Sequence, residues 1–384
     1  MSEFLLDNGP LILVLVSLFV AGAVMGSFLN VWIARLPMEK SIFWPPGSRC
    51  GSCYRPIRFF DNLPLFSYWL LGGRCRYCKA PFSIRYFVVE LFVAVAFVMI
   101  FYVEIVLNIH DIPEFRNFTR QLRFNVFDAR NGPAFLFWLQ HATLTCFLLA
   151  AAICDLEDRS IPLSITMTGT VIGLIFATLL PWPWPIHDVQ SALPHPTDPR
   201  IDQWWMLVNP AEMQKHGLYP WPVWGPLPGW LRPGSWRLGL VTGVAGALCG
   251  TFVLRGVKFL FEKGFRKEAL GLGDADLMMM VGAFLGWQPT FLAFLVGALV
   301  SLIFTAPFVI LRGKSSLPFG PGLAAGAAIT WLAWDSIGPV VQVLLFNGQL
   351  MALLLGICAV ATFLLAFLIR RIEGPGEAPA GKTA

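Results

Sequence analysis

Gly271-Leu272-Gly273-Asp274-Ala275-Asp276-Leu277 opens an apolar run that continues through Met278, Met279, Met280 and Val281 to Trp287. Basic residues precede it: Lys263, Arg266 and Lys267. A carboxylate at the mouth of such a helix is costly unless it is enclosed by protein and has a task. The two glycines let the backbone bend or pack where a larger side chain would not fit. Taken alone, Asp274 also reads as a helix-start acid, an N-cap or first-turn carboxylate facing the helix dipole. A second acid in a similar setting, Asp155, moves the reading from capping to chemistry.

Around this stretch the chain is strongly apolar. Of its 384 residues 56% are hydrophobic and 13% charged, against about 25% charged in soluble domains. Apolar runs long enough to cross a bilayer recur, so the fold class is all-α, a polytopic membrane helix bundle of about nine transmembrane helices. The first run, Leu11 to Ile33, is too long for a signal-peptide core and reads as a retained helix. The net charge of +5 is modest and gives no reason to expect nucleic acid as a partner. The partner it does imply is the lipid bilayer.

Taken in order, residues 1–33 hold the first helix and 34–85 a polar loop. That loop carries nine basic residues against two acids, which places it in the cytoplasm and the N-terminus outside. Helices two to four fill 86–180, separated by an external loop at 108–133 and a turn at Asp155–Ser160. Residues 181–236 form an external insertion with twelve prolines and eight tryptophans, too proline-dense for long regular elements. Its tryptophans suit the headgroup layer. Helices five to nine fill 237–371, and 372–384 is a Pro/Gly/Ala-rich tail expected to be disordered.

In this topology Asp155 and Asp274 meet the membrane at the same, cytoplasmic level. Two carboxylates close together in a low dielectric cannot both ionise cheaply, so they share a proton. One then activates water while the other donates to a carbonyl, the chemistry of an aspartic protease. Glu157 and Asp158 read as solvated turn residues. Asp276, two positions beyond Asp274, points the other way on a helix.

Cys50-x2-Cys53, twenty-one residues, then Cys75-x2-Cys78 is a zinc pattern. The loop is too small to fold on apolar burial alone, and a metal supplies the staple. A closed four-cysteine site leaves no position for substrate, so a zinc here is expected to be structural; disulfides, disfavoured in a cytoplasmic loop, or free thiols are the other readings. Cys146, Cys154, Cys249 and Cys358 read as small buried residues in apolar helices. The five histidines form no cluster with ligand spacing.

Several motifs occur together, in order: Gly26-Ser27-Phe28-Leu29-Asn30-Val31 with Arg35-Leu36-Pro37; the cysteine tetrad; Phe60-Asp61-Asn62-Leu63-Pro64; Gly73-Arg74-Cys75-Arg76-Tyr77-Cys78; Ser83-Ile84-Arg85-Tyr86 with Glu90; Asp155-Leu156 and Ile161-Pro162; Gly271-Leu272-Gly273-Asp274; and Pro318-Phe319-Gly320-Pro321. In this order and spacing the chain resembles the bacterial type IV prepilin peptidases. These are membrane aspartic proteases of the GxGD type that double as N-methyltransferases. The resemblance implies an inner-membrane enzyme with Asp155 and Asp274 as its catalytic pair. Its substrates would be type IV prepilins or pseudopilins, cut after the glycine that ends a basic leader. The cytoplasmic loop, Gly73 included, would then methylate the new amine using S-adenosylmethionine. The family usually has lysine where Asp276 stands, commonly has eight helices, and has shorter loops than 108–133 and 181–236.

Two other readings compete. A transporter or scaffold would use the acids as a proton relay, but relays usually sit near the bilayer middle, and both acids here lie at one face. A peptidase without methyltransferase activity is the other, because the sequence has no glycine-rich nucleotide fingerprint.

Overall fold

In a computed structural model the described residues are 2–180, apart from 43, 45, 46, 111, 113, 114, 125–127, 129 and 130, together with 230, 231, 235–265, 271–312, 318–338 and scattered positions between 341 and 360. Most of the insertion and all of the tail read from the sequence lie outside them, as does most of the ninth helix. Among the described residues ten α-helices carry the architecture: α1 (Ser2–Arg35), α2 (Ser67–Leu70), α3 (Arg85–Phe101), α4 (Phe118–Phe124), α5 (Gly132–Asp158), α6 (Leu163–Leu179), α7 (Trp236–Phe265), α8 (Leu272–Leu285), α9 (Trp287–Arg312) and α10 (Gly320–Leu332). Among the described residues there is no strand, only two isolated bridges in the cysteine loop.

Among the described residues five segments are long and apolar enough to cross a membrane: Gly9–Met38, Arg85–Val106, Gly132–Asp158, Trp236–Leu260 and Trp287–Phe304. The apolar helix α6, at Leu163–Leu179, is shorter. At about 1.5 Å per residue, α8 and α10 are also shorter than a hydrocarbon core of roughly 30 Å. They are shielded by protein instead. Leu277, Met278, Met280, Val281 and Leu285 of α8 are fully buried, whereas α1 and α9 expose valines, leucines and phenylalanines to the surroundings.

Lipid tails are as apolar as leucine, so helices in a membrane associate through close packing of small residues. The pairing of α7 with α8 follows this rule. Gly246 and Gly282 face one another so closely that a Cβ on either would overlap the other's carbonyl oxygen. Gly250 stands in the same relation to the Met278 carbonyl. The seam fixes where α8 begins, and therefore where Asp274 sits.

A second constraint is polar and was not visible in the sequence. The end of the second crossing passes into a π-helical turn, Tyr102–Val106, and Glu104 within it is fully buried. Oε1 of Glu104 accepts the Trp331 indole N–H at 2.7 Å, and Oε2 lies 3.0 Å from Nδ1 of His141. Nε2 of His110 is 3.6 Å from Oε1. His141 stacks on Trp331 with an interplanar angle of 11°. Histidines with no ligand spacing in sequence are thus gathered by the fold onto one carboxylate, joining α3, α5 and α10. Breaking a buried ionic group from one side leaves its partners unsatisfied, typically about 3–5 kcal/mol. Glu104→Ala should therefore lower the thermal denaturation midpoint in detergent well beyond the effect of an exposed-residue control such as Leu302→Ala; an unchanged midpoint would deny the network a structural part.

Candidate functional site

The acids named from the sequence lie where helix ends converge. Asp155 is in the last turn of α5, Asp274 in the first turn of α8, and both are buried. The two carboxyl groups are within electrostatic range of one another. Gly271 occupies the N-cap of α8 without a side-chain cap, so Asp274 does not cap its own helix. Gly273 packs against Ile161, where a Cβ would stand 3.1 Å from the Ile161 Cβ. This contact presses the start of α8 onto the segment that follows α5. Asp155 is held from a third direction: Oδ2 accepts the N–H of Gly320, the first residue of α10, at 2.8 Å. A Cβ at position 320 would stand 2.7 Å from that oxygen, so the contact requires glycine. A helix N-terminus also offers partial positive charge to a carboxylate.

The other acids are placed as the sequence suggested. Glu157 and Asp158 are exposed, and Glu157 pairs with Arg85 at the start of α3. Asp276 lies 3.8 Å from Arg255 of α7. The negative charge that stands where the resembling family has lysine is thus met by a cation from the neighbouring helix.

The four cysteines converge. Their sulfur atoms all lie within 4.8 Å of one another, and Cys50 Sγ is 3.7 Å from Cys78 Sγ. A tetrahedral ion with metal–sulfur bonds of about 2.3 Å would hold its sulfurs roughly 3.8 Å apart, so the cluster has the dimensions for one. Two matching turns build it. In each, the first cysteine's N–H bonds forward, Cys50 to the Arg55 carbonyl at 3.1 Å and Cys75 to the Ala80 carbonyl at 2.9 Å. In each, the residue after the second cysteine is left-handed, Tyr54 at φ 55° and Lys79 at φ 58°. The bridges Arg49–Pro56 and Arg74–Pro81 close both turns. The repeat Arg-Cys-x-x-Cys-x-x-Pro, at 49–56 and again at 74–81, is the sequence signal for this symmetry.

The turns favour thiolates. Amide N–H groups of Cys53 and Ser52 bring Cys50 down to about 6, and those of Cys78 and Tyr77 lower Cys75. Cys78 has the amide of Ala80 in its favour, but desolvation and the three neighbouring sulfurs push it up to about 11. Full ionisation of such a cluster calls for a cation at its centre.

Gly73 sits at φ 65°, donates its N–H to the Tyr68 carbonyl at 2.9 Å and accepts the Phe82 N–H at 2.9 Å. A Cβ there would press on Tyr68, at 3.2 Å from its hydroxyl and 3.3 Å from its ring. It shapes the second turn and does not line the adjoining cavity of about 490 Å³ between the lobe, α1 and α3. The lobe is braced by Arg76, whose guanidinium makes two bonds to the buried Asp61 carboxylate, at 2.7 and 2.5 Å. That cation holds the Asp61 carboxyl below its usual range.

A bundle of membrane-crossing helices, buried carboxylates at converging helix ends and a four-cysteine lobe at the same end together define a class of multi-pass membrane protein. Residues 20–103 match the bacterial peptidase A24 N-terminal domain, and residues 230–306 the type IV leader peptidase family. In both segments the chain is similar to the type IV prepilin peptidase family. The prepilin leader peptidase/N-methyltransferase of Myxococcus xanthus is 29% identical over 280 residues, which cover 73% of this chain and 58% of that relative. The type 4 prepilin-like proteins leader peptide-processing enzyme of Escherichia coli is 27% identical over 328 residues, 81% of this chain and 91% of its own length. The prepilin leader peptidase/N-methyltransferase of Aeromonas salmonicida is 26% identical over 346 residues, 83% and 90%. No solved structure matches the chain.

A buried carboxylate stranded without its cation costs more than removal of the whole pair. Arg76→Gln should therefore open the lobe to limited proteolysis roughly tenfold faster than wild type, and Asp61→Asn/Arg76→Gln should recover much of the resistance. Equal sensitivity of the single and double variants would show that the pair does not brace the lobe.

Proposed function

We propose that this chain is a membrane aspartic endopeptidase that removes the basic leader of type IV prepilins or pseudopilins after glycine, and that it methylates the new N-terminal amine from S-adenosylmethionine. The observation that carries the first half is the juxtaposition of Asp155 and Asp274 at buried, converging helix ends. Both activities stand in the names of the relatives from Myxococcus xanthus and Aeromonas salmonicida. The catalytic end of the bundle and the cysteine lobe face the cytoplasm in this reading, and the membrane is the bacterial inner membrane.

The chemistry follows from the environment of the two acids. In a water-poor site one proton is shared between them. Asp155, held by the Gly320 N–H, is the carboxylate stabilised in ionised form and takes a proton from the attacking water. Asp274 carries the shared proton and donates it toward the scissile carbonyl oxygen. Collapse of the tetrahedral intermediate returns a proton to the departing amine. Extended substrate backbone reaches the pair at the helix mouths, without crossing the bilayer.

Cys50, Cys53, Cys75 and Cys78 would hold one zinc ion, whose task is to fold the lobe. S-adenosylmethionine supplies an electrophilic methyl group when bound. The lobe and the helix ends beneath it provide the surface where that methyl group meets the amine.

Asp155→Asn and Asp274→Asn should each reduce cleavage of a prepilin peptide at least about a thousandfold while the protein stays folded and inserted, because an amide keeps the volume and cannot exchange the proton. Retention of most activity in either variant would remove that residue from the pair. Metal analysis of purified protein should give about one zinc per chain, lost in Cys50→Ser/Cys53→Ser. That variant should lose methylation more than cleavage. Equal loss of both, in stably inserted protein, would mean that the lobe also positions the prepilin for the aspartates.

A further inference from the structure

The cavity beneath the cysteine lobe is distinct from the aspartate pair, since neither Asp155 nor Asp274 lines it. Its inner wall is formed where α1 and α3 run in near contact. A Cβ on Gly26 would stand 2.6 Å from the Glu90 Cα, and one on Gly22 would stand 2.7 Å from the Ala94 Cα. Glycines four residues apart permit this approach between membrane helices. The approach brings Ser27 and Asn30 of α1 beside Tyr86 and Glu90 of α3, all four on the cavity wall.

Two acceptors in that wall are held in place: the Glu90 carboxylate, which has the Leu65 N–H and the Ser27 hydroxyl as neutral donors, and the Asn30 amide oxygen, which has none among the described residues. Glu90 Oε2 accepts the Leu65 N–H at 2.8 Å, which ties the side chain to the loop above it. No cation stands within ion-pair distance of Glu90 among the described residues. Asn30 is 2% exposed, and its Nδ2 donates to the Tyr86 carbonyl at 3.0 Å, which fixes the orientation of the amide. Its Oδ1 is buried with no partner among the described residues. A carboxylate without a cation and an orphaned amide oxygen, on facing helices, call for a ligand rich in N–H donors.

We propose that Glu90 and Asn30 form the subsite for the primary amine that is methylated, with Glu90 accepting the amine's proton. This rests on the methyltransferase reading above. An N-terminal amine, with a reference pKa of about 7.7–8.0, enters largely as ammonium and has no lone pair to react. One proton passes from the ammonium to the Glu90 carboxylate, and Asn30 Oδ1 accepts a second N–H and orients the nitrogen. The freed lone pair forms the new N–C bond to the methyl carbon of a sulfonium donor. The C–S bond breaks with its electron pair staying on sulfur. The products are a secondary ammonium and a neutral thioether, and Glu90 returns its proton to water at the cavity mouth. Tyr68, Tyr86 and Phe87, also in the wall, suit the cationic donor and product.

The experiment uses full-length protein in detergent and a pre-cleaved peptide with a free N-terminal amine. Binding of S-adenosylhomocysteine is followed by calorimetry and methylation by mass spectrometry across pH 6.5–9.5, with cleavage of an intact prepilin peptide measured on the same samples. Glu90→Gln keeps an acceptor for the Leu65 N–H. It should lower kcat for methylation roughly a hundredfold near pH 7, with the deficit shrinking as pH rises and the amine loses its proton unaided. Thioether affinity should stay within about threefold, as the donor is held elsewhere in the cavity. Asn30→Ala should raise KM for the peptide roughly tenfold. Normal methylation by Glu90→Gln, a deficit that does not change with pH, or loss of thioether binding in step with methylation would overturn the assignment. Wild-type protein that cleaves but neither binds the thioether nor methylates would overturn the methyltransferase reading and this assignment with it.

Discussion

The hydrogen bond from the Gly320 N–H to Asp155 Oδ2 joins residues 165 positions apart and sets the geometry of the helix mouths. It exists because position 320 carries no side chain, since a Cβ would collide with the carboxylate it serves. It is also one end of a two-point latch. α5 and α10 meet again farther along, where His141 and Trp331 converge on Glu104. Two contacts about three to four helical turns apart define the relative register of two helices far better than one. Asp155 is thus held against sliding or rotating by a network it does not touch.

Much of this was legible in the sequence, because some residue types carry their purpose in their spacing. Cysteines two apart, repeated after an interval, have few uses, and the fold brings all four together. Acids at the mouths of apolar helices are equally conspicuous, and Asp155 and Asp274 are both buried where helices converge. The Glu104 network was hidden because its members lie 6, 37 and 227 residues from Glu104 and are presented by a π-helical turn that breaks the ordinary helical period. Glu90 was noted only as part of a motif. Its meaning depends on a contact between helices, and glycine spacing indicates that a contact exists without indicating what it brings together. Helices also continue past their apolar parts: α7 runs to Phe265, whereas its membrane-compatible stretch ends at Leu260.

Asp276 shows how a local departure is absorbed. A lysine there would add a cation beside the mouth of α8. The aspartate instead faces Arg255 across the α7–α8 seam, so the cation is supplied from the opposite helix. The half-exposed guanidinium is screened by solvent, which limits the energy of the pair. Its effect is on the local charge pattern more than on stability. The seam itself rests on Gly246, Gly250 and Gly282, which permit backbone contact whatever the sign of the charge above them.

The two proposed chemistries make opposite demands on protons, and this gives a physical reason for two sites. Peptide hydrolysis by paired acids needs one proton retained between them, which favours burial and mutual proximity. Methylation of an amine needs a proton removed and its product, a cation, released, which favours a carboxylate open to water. An acid pair tuned for the first would hold its proton against the amine. The structure separates the groups accordingly. Asp155 and Asp274 are enclosed by α5, α8 and α10, while Glu90 opens onto a cavity beneath the lobe. The sites are nevertheless mechanically connected. Arg85, at the start of the helix that carries Glu90, pairs with Glu157, two residues beyond Asp155. A peptide cut at one site would therefore find the other at the same end of the bundle, reached by a shift along helix mouths already held together by an ion pair.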